Sequence, residues 1–279
     1  MLNLTQFSSR LYRDKNGIWQ CSEKGNTPVS YPETGHQDYI DIEDHSFWYQ
    51  HRCRVLVKLM HRFTPTGPIV DIGGGNGMTA HAIQNSGLDV IVVEPGPIGA
   101  TNARMRGVQN VICASFEDAG FHAASLPAIS LLDVLEHIQD DDAFLMKIYE
   151  SMQKGGYLYL LVPAGSWLWS AHDIYVGHFR RYCLQPLCAK LRQSGFEISF
   201  ASHLFLFLII PIFLLQALPG HMGLIKSGTQ KRLKAVNQVP SGVLGRWLNS
   251  LLNWELKRIH NGQTILQGSS CMIVAKKPL

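Results

Sequence analysis

A glycine-rich turn and a downstream acid have the residue types and the spacing that can hold a nucleoside. The turn is the Val-Asp-Ile-Gly-Gly-Gly-Asn-Gly run at 70–77, and the acid is Glu94, 23 residues beyond Asp71. Glycine lets the backbone bend sharply and approach a ligand, and a helix N-terminus offers unpaired N–H groups. A carboxylate at the end of the next strand can accept hydrogen bonds from both hydroxyls of a ribose. The pattern predicts a nucleoside-containing cofactor, and the alternative is a structural turn with an incidental acid.

Residues 167–182 form a second polar and aromatic stretch, which does not suit a buried strand. His172 is the first candidate for a general base, because an ordinary imidazole pKa of about 6.5 suits proton removal at neutral pH. Asp173 could orient that ring or act itself, and His178 is the second candidate. The alternative is that these side chains hydrogen-bond to loop backbone or pair with carboxylates.

The same stretch contains the candidate acceptor contacts Trp169, Arg180, Arg181 and Tyr182. Two adjacent guanidinium groups indicate an anionic acceptor, since each can bind a phosphate or a carboxylate in a fixed fork. Internal pairing with the acids at 140–142 is the open alternative.

Short apolar runs alternate with helical patterns along most of the chain, and many of them stop at glycine or proline. The patterns predict helices at 45–63, 78–85, 100–106, 141–152 and 185–193, and strands at 68–72, 89–93, 110–114, 128–132, 157–162, 196–202 and 264–275. This alternation predicts a doubly wound α/β sheet with helices on both faces, whose ligands lie beyond the carboxyl ends of the strands.

Four motifs, in this order, resemble those of the class I S-adenosylmethionine-dependent methyltransferases. They are the glycine turn from Asp71 to Gly77, Glu94-Pro95, the Leu-Asp-Val-Leu-Glu-His-Ile run at 132–138, and the Lys-Gly-Gly-Tyr-Leu run at 154–158. The resemblance covers residues 45–203 and 264–277. It implies a Rossmann-like, seven-stranded, mostly parallel sheet with an antiparallel last strand. It also implies methyl transfer from S-adenosylmethionine, which leaves S-adenosylhomocysteine.

The resemblance further implies a role for each cofactor contact. The methionine portion and the ribose are expected over Asp71 and the glycines Gly73, Gly74 and Gly75, with the ribose hydroxyls on Glu94, next to Pro95. Ser115 and Phe116 are expected to flank the adenine, although the family often has Asp where this chain has Ser115. Asp133 is expected near the sulfonium. In similar proteins the early helix closes over the cofactor, so Arg52 could pair with its carboxylate; the alternative is a solvated arginine.

Two other functions stay open at this stage. The Gly75, Gly77 and Ala80 spacing satisfies the relaxed dinucleotide pattern, which allows an NAD(P)-dependent oxidoreductase. A non-catalytic binding protein could also retain the cofactor pocket. The Glu136-His137 pair is interpreted as the start of a helix that packs against the cofactor loop. No metal-ligand cluster is apparent, so we expect no metal.

The predicted domains are an N-terminal arm at 1–44, a core at 45–203 and 264–279, and a helical insertion at 204–263. The insertion begins with an apolar run at 204–218, which is interrupted by Pro211 and is shorter than the ~20 residues that span a bilayer. Residues 243–259 then combine apolar residues at helical spacing with basic ones, as in an interfacial amphipathic helix. The insertion is predicted to contact a membrane surface in plane, or to form a lid or a homodimer face. A small or lipid-like acceptor fits this arrangement.

Composition excludes several classes of protein. With 46% apolar and 16% charged residues, the chain is neither disordered nor a multi-span membrane protein. The net charge is +4, yet 219–262 holds seven Lys or Arg against the single acid Glu255, which leaves −2 elsewhere and argues against a nucleic-acid partner. Six scattered cysteines without a C-x-x-C pair indicate neither a disulfide framework nor a zinc site. The N-terminus shows no secretory pattern, so we expect a cytoplasmic protein, with membrane association as the alternative that the insertion leaves open.

Overall fold

The computed structural model describes residues 2–22, 40, 42–221 and 242–279. Parts of two predicted segments lie outside the described residues. These are residues 1, 23–39 and 41 of the arm and 222–241 of the insertion, the latter with four of its basic residues.

The described residues form one nine-stranded mixed sheet in the order β1-β2-β5-β4-β3-β6-β7-β9-β8. Parallel pairing joins β2 to β5 and continues through β4, β3, β6 and β7, whereas β9 pairs antiparallel with both β7 and β8. The mostly parallel sheet with an antiparallel last strand is therefore confirmed. The strands are β1 (Leu11–Arg13), β2 (Trp19–Cys21), β3 (Ile69–Ile72), β4 (Val90–Val93), β5 (Val111–Cys113), β6 (Leu126–Leu132), β7 (Met152–Pro163), β8 (Glu197–Leu204) and β9 (Ser270–Lys276).

The expected count of seven strands is wrong, because the arm contributes two more. β1 and β2 form a hairpin, and β2 adds in parallel to the edge of β5, with Trp19 opposite Ile112. Each of the two strands has three residues, too few to show an alternating pattern. Asp14 shapes their connection, since its carboxylate accepts the backbone N–H groups of Asn16 and Ile18 at 2.8 and 3.0 Å.

The helices lie close to the predicted positions. The first is α1, which begins at Phe47 and ends at Arg62, before the predicted stop at Thr64-Pro65. The others are α2 (Met78–Asn85), α3 (Pro97–Met105), α4 (Phe116–Ala119), α5 (Asp141–Ser151), α6 (Ala171–Tyr175), α7 (Leu184–Gln193) and α8 (Gly242–His260). Short 3-10, α and π turns follow one another from residue 206 to residue 221, which we call the apolar segment.

Buried side chains lie on both faces of the sheet. Alternate residues of the central strands belong to two apolar clusters: Val70 and Ile91 face α5 and α7, whereas Ile69 and Val90 face α1, α2, α3 and α8. Burial on both faces explains why these strands are continuous apolar runs. No helix in the described ranges combines the length and the apolar composition that a bilayer crossing requires.

The strand register places the segments that follow β3, β4 and β6 at one edge of the sheet. Ile72 at the end of β3 lies opposite Val93 of β4 on one side and Leu131 of β6 on the other. The residues that follow these strands, Gly73, Glu94 and Asp133, therefore leave the sheet at the same edge, where ligands of parallel sheets bind.

Candidate functional site

The glycine turn after β3 has a backbone that favours glycine at three positions. Gly73, Gly75 and Gly77 have φ values of +68°, +53° and +77°, in the left-handed region. At Gly77, a Cβ would lie 2.8 Å from the Cα of Ala103 in α3. At Gly74, a Cβ would lie 3.0 Å from Oδ2 of Asp71 and 3.0 Å from Cγ1 of Val92, so a larger residue would crowd both side chains. The turn thus packs closely against α3 at Gly77 and against Asp71 and β4 at Gly74.

Two buried acids flank this turn. The Glu94 carboxylate accepts the N–H of Gly75 at 2.9 Å and that of Gly96 at 2.7 Å, across Pro95. Asp71 accepts the Ser130 hydroxyl at 2.6 Å. Burial raises the pKa of Glu94 to about 7 and that of Asp71 to about 6. Such a pair is typical of a polar ligand site.

Asp133 directly follows β6, has an unusual backbone conformation and contacts Arg52 of α1. Its φ is +56°, rare for a residue other than glycine. The guanidinium of Arg52 pairs with its carboxylate and also donates to the Thr79 hydroxyl at 3.3 Å. Arg52 is buried, and it lies 4.8 Å from the ring centres of both Trp48 and Tyr49. The alternative of a solvated arginine is therefore wrong.

Ser115 and Phe116 begin α4 beside these turns. The Ser115 hydroxyl accepts the N–H of Asp118 at 3.0 Å, which caps the helix. The Phe116 ring lies 5.8 Å from the rings of Phe121 and Phe144. Both residues thus have structural partners, and their contact with adenine stays a prediction.

Asp173 is the centre of a hydrogen-bond network in the loop after β7. Its fully buried carboxylate accepts from the backbone N–H and the hydroxyl of Ser170, from Nδ1 of His178 at 2.9 Å, and from Arg181 through Nε at 2.7 Å and Nη2 at 2.9 Å. Burial alone would raise the pKa of Asp173, but the donors from His178 and Arg181 hold it well below its usual range. Asp173 therefore orients His178, not His172.

His172 has a different environment. Within the described part of the chain, its buried Nδ1 has no hydrogen-bond partner. Burial lowers the pKa of His172 to about 4, so the ring is neutral at pH 7 but is a weaker base than the ordinary imidazole that the sequence predicts. Its role as a base stays a prediction.

The arginines expected to bind the acceptor have internal partners. Arg180 donates to the carbonyl oxygens of Ile138 and Gln139 at 3.0 and 2.6 Å and lies 3.1 Å from Asp141. The buried Tyr182 hydroxyl donates to the same Asp141 at 2.9 Å. The internal pairing left open by the sequence thus occurs for Arg180, while Arg181 pairs with Asp173. Trp169 is partly buried just before α6.

Residues 47–199, more than half of the chain, match the family model of a methyltransferase domain. The chain belongs to this methyltransferase family. Membership confirms the resemblance to class I methyltransferases that the four motifs carry. It also favours methyl transfer over the oxidoreductase that the Gly75, Gly77 and Ala80 spacing allowed.

Known proteins similar to this methyltransferase differ in their acceptors. A ubiquinone biosynthesis O-methyltransferase of Xanthomonas axonopodis pv. citri is 26% identical over 158 residues, which cover 50% of this chain and 66% of that protein. The structure of phosphoethanolamine N-methyltransferase 2 of Haemonchus contortus has a TM-score of 0.55 at 20% identity and covers 90% of this chain and 58% of that one. A Thermotoga maritima methyltransferase has a TM-score of 0.54 at 18% identity, covering 88% and 95%. The two structures show a shared fold, and the chain spans about two thirds or less of the first two proteins.

The sequence did not predict the contacts by which the segment just before α1 packs against the glycine turn of the methyltransferase. The buried carboxylate of Glu43 accepts from Nδ2 of Asn76 at 3.0 Å and from Nη2 of Arg106 at 2.9 Å. Arg106 also donates to the Asn76 carbonyl at 3.0 Å. These partners lie 33 and 63 residues from Glu43 along the chain, so no local pattern marks them.

Gly77→Ala is expected to destabilise the methyltransferase by about 2–5 kcal/mol, because a left-handed Cβ costs ~1–2 kcal/mol and overpacking ~1–3 kcal/mol. The added Cβ would lie 2.7 Å from the Cβ of Ala103, so two helices would have to separate. Gly87→Ala is the matched control, since Gly87 has φ +88° but nothing within 4 Å of its added Cβ. Urea unfolding measures both free energies, and equal losses in the two variants would contradict the packing role of Gly77.

Proposed function

We propose that this chain transfers the methyl group of S-adenosylmethionine to an acceptor with an apolar tail. The observation that carries the cofactor assignment is the buried Glu94 carboxylate beside the glycine turn. The glycine turn and the two buried acids fit a ligand that brings hydroxyl and ammonium donors. Glu94 would hold the ribose hydroxyls, and Asp133 with Arg52 would line the opposite end of the cofactor.

S-adenosylmethionine supplies a methyl carbon that its sulfonium activates, so the chain mainly has to align an acceptor and take up a proton. His172 lies in α6, in the connection that follows β7, and its neutral ring is the candidate to accept that proton, although its lowered pKa makes it a weak base. Asp173 keeps the loop in one conformation through Ser170, His178 and Arg181.

An exposed apolar surface supports an acceptor with an apolar tail. Trp167, Ile174 and Phe179 in the loop after β7 are exposed, as are Ile210 and Leu215 of the apolar segment. The loop and the segment meet, since the Trp167 ring lies 5.6 Å from the ring of Phe213. Exposed apolar patches of this kind mark binding surfaces. Because Arg180 and Arg181 have internal partners, the proposal includes no charge on the acceptor.

The names of the similar proteins do not identify the acceptor of this chain, because they indicate different acceptors. One acts in ubiquinone biosynthesis at oxygen and the other on the nitrogen of phosphoethanolamine. The direct test incubates the purified chain and methyl-labelled S-adenosylmethionine with the lipid extract or the water-soluble extract of the source cells. We expect label to enter the organic phase only with the lipid extract. Labelling confined to the water-soluble extract would contradict an apolar tail.

We also propose that a cytoplasmic chain takes such an acceptor from an anionic membrane surface. On α8, the apolar side chains of Val243, Trp247 and Trp254 are exposed, with Arg246 and Lys257 exposed beside them. A helix with this composition lies in the membrane interface and is attracted to anionic lipid. The excess of basic residues over 219–262 has the complementary charge.

Co-sedimentation with vesicles of phosphatidylglycerol and phosphatidylcholine tests this surface. We expect binding at low salt that high salt weakens, and loss of binding in a Trp247→Ser, Trp254→Ser double variant. Tyr12→Ser, at an exposed aromatic position of β1, is the matched control. The alternative outcome is that the chain does not bind the vesicles and that sedimentation velocity shows a homodimer, which the double variant disrupts. The exposed face of α8 would then be a dimer contact and not a membrane contact.

Binding of S-adenosylhomocysteine is expected to strengthen as the pH rises through about 7, the raised pKa of the buried Glu94. Below that pH the carboxyl is protonated and offers the ribose one acceptor fewer. The ionised fraction falls from about nine tenths at pH 8 to about one tenth at pH 6, so affinity should fall about tenfold. Calorimetric titration at pH 6, 7 and 8 measures it. Glu94→Gln should remove the change between pH 7 and 8, because Asp71 titrates lower; a pH-independent wild type would contradict the assignment.

A further inference from the structure

Three side chains outside the proposed cofactor contacts come together beyond the end of β6. Glu136 and His137 lie in the 3-10 turn Leu135–His137, and His178 lies in the loop after α6. One ligand atom from each residue lies within 4.8 Å of the other two. The backbone fastens the two elements together, since the N–H of Phe179 donates to the carbonyl oxygen of Glu136 at 2.8 Å. We call these three residues the Glu-His-His cluster.

Glu136 is the member whose environment points to a ligand. Its side chain is fully buried, yet neither carboxylate oxygen accepts a hydrogen bond from any residue that the structure describes. Nε2 of His178 is 3.8 Å from Oε1, which is beyond hydrogen-bond distance. A buried carboxylate without donors is unfavourable unless a cation or a proton satisfies it. The side chains of the cluster therefore do not compensate the negative charge of the buried Glu136 carboxylate.

His178 is held in the way that metal-ligating histidines are held. Its Nδ1 lies 2.9 Å from Oδ1 of Asp173, and Asp173 is fixed in turn by Arg181. A carboxylate on one ring nitrogen orients the imidazole and leaves the other nitrogen to coordinate a metal. The ring of His137 lies edge-on to that of His178, with 4.8 Å between the ring centres. The second imidazole is thus next to the first.

We propose that Glu136, His137 and His178 bind one divalent first-row transition metal ion. Two imidazoles and one carboxylate form a donor set that suits such ions better than Mg²⁺ or Ca²⁺. Ligand bonds of about 2.0–2.2 Å at tetrahedral angles place ligand atoms about 3.4 Å apart, so atoms 4.8 Å apart would have to approach by roughly 1.4 Å. Three protein ligands leave positions open for other oxygens. The sequence-based expectation of no metal missed this cluster because Glu136 and His178 belong to separate loops.

The position of the cluster indicates what an open coordination site would take, and this step rests on the proposed function. Glu136 follows Asp133 by three residues, and Asp133 is expected at the sulfonium end of the cofactor. A metal ion there would bind an acceptor hydroxyl and lower its pKa, as it does for bound water. The hydroxyl proton passes through His172 to solvent, the oxygen forms a bond to the methyl carbon as the carbon–sulfur bond breaks, and neutral S-adenosylhomocysteine leaves. The acceptor class is therefore a hydroxyl compound.

Cobalt(II) is the probe for this site, because its visible absorption reports coordination by nitrogen and oxygen. The full chain, freed of metal by a chelator, is titrated with Co²⁺ in a Cys183→Ser background, since Cys183 is the exposed cysteine of the chain. We expect one equivalent to bind per chain. Glu136→Gln and His178→Asn should each weaken binding at least tenfold. His122→Gln, which removes an exposed histidine outside the cluster, should leave it unchanged.

S-adenosylhomocysteine affinity is measured on the same samples to separate the two proposals. If a variant keeps this affinity and loses Co²⁺, the metal site is supported and the variant is folded. Absence of Co²⁺ binding in the parent chain, or equal binding in all variants, would overturn the metal site even where S-adenosylhomocysteine still binds. If the parent chain failed to bind S-adenosylhomocysteine, the proposed function would be lost instead. If Glu136→Gln does not fold, the Co²⁺ titrations of the parent chain and of His178→Asn still test the metal site.

Discussion

Glu94→Ala is expected to weaken S-adenosylhomocysteine binding at least a hundredfold, since hydrogen bonds to a charged group contribute ~1.5–3 kcal/mol each and the ribose would lose two. Glu94 is buried at the end of β4, and its carboxylate lies beside the N–H of Gly75. Removing it leaves that edge of the sheet without the acid that a ribose requires. Calorimetric titration of the wild type and the variant measures the ratio of dissociation constants.

The control for this prediction is Glu117→Ala. Glu117 is an exposed acid on α4, paired with Lys147 at 3.3 Å, and it lies outside the proposed cofactor contacts. Its removal should leave the affinity unchanged. Circular dichroism of the Glu94 variant checks that the fold persists, because the carboxylate also accepts the N–H of Gly96. A folded Glu94→Ala protein with wild-type affinity would remove Glu94 from the ribose.

Glu255→Ala is expected to cost about 3–5 kcal/mol of unfolding free energy, the range for breaking a buried charged network. Glu255 is fully buried in α8, and its carboxylate accepts the N–H of Phe205 at 2.9 and 3.0 Å. Nε2 of His51 in α1 lies 3.2 Å away. The residue thus joins α8, α1 and the start of the apolar segment. Urea unfolding measures the loss.

The same variant should also weaken S-adenosylhomocysteine binding, because Glu255 supports the aromatic contacts behind Arg52. Phe205 has a left-handed φ of +60°, and its ring stacks on Trp48 with 5.5 Å between centres. Trp48 in turn lies under the guanidinium of Arg52. Glu197→Ala, at an exposed position of β8, is the matched control and should cost less than about 1 kcal/mol. Equal losses of unfolding free energy in the two variants would contradict the role of Glu255 in joining α8, α1 and the apolar segment.

Local patterns were sufficient for the elements that place the cofactor site. The predicted helix at 78–85 has the bounds of α2, because a glycine turn precedes it and Ser86-Gly87 follows it. Parallel pairing of β3 with β4 and β6 then explains why Asp71 and Glu94, read as strand-end acids, lie at one edge. Where a strand has three residues, as β1 and β2 do, the periodic signal is too short to detect.

Long-range polar contacts could not be predicted in the same way. The sequence allowed Asp173 to orient His172, but the loop between β7 and α7 turns its carboxylate to His178 and Arg181 instead. The bond from Phe205 to Glu255 spans 50 residues of the insertion. Such pairs depend on how loops pack against the sheet, and periodicity carries no information about that packing.

A crystal structure with S-adenosylhomocysteine tests the central assignment most directly. We expect both ribose hydroxyls within hydrogen-bond distance of the Glu94 carboxylate and the methionine portion over the turn from Gly73 to Gly75. Density for the ligand at another edge of the sheet, or a ribose turned away from Glu94 in saturated crystals, would contradict it.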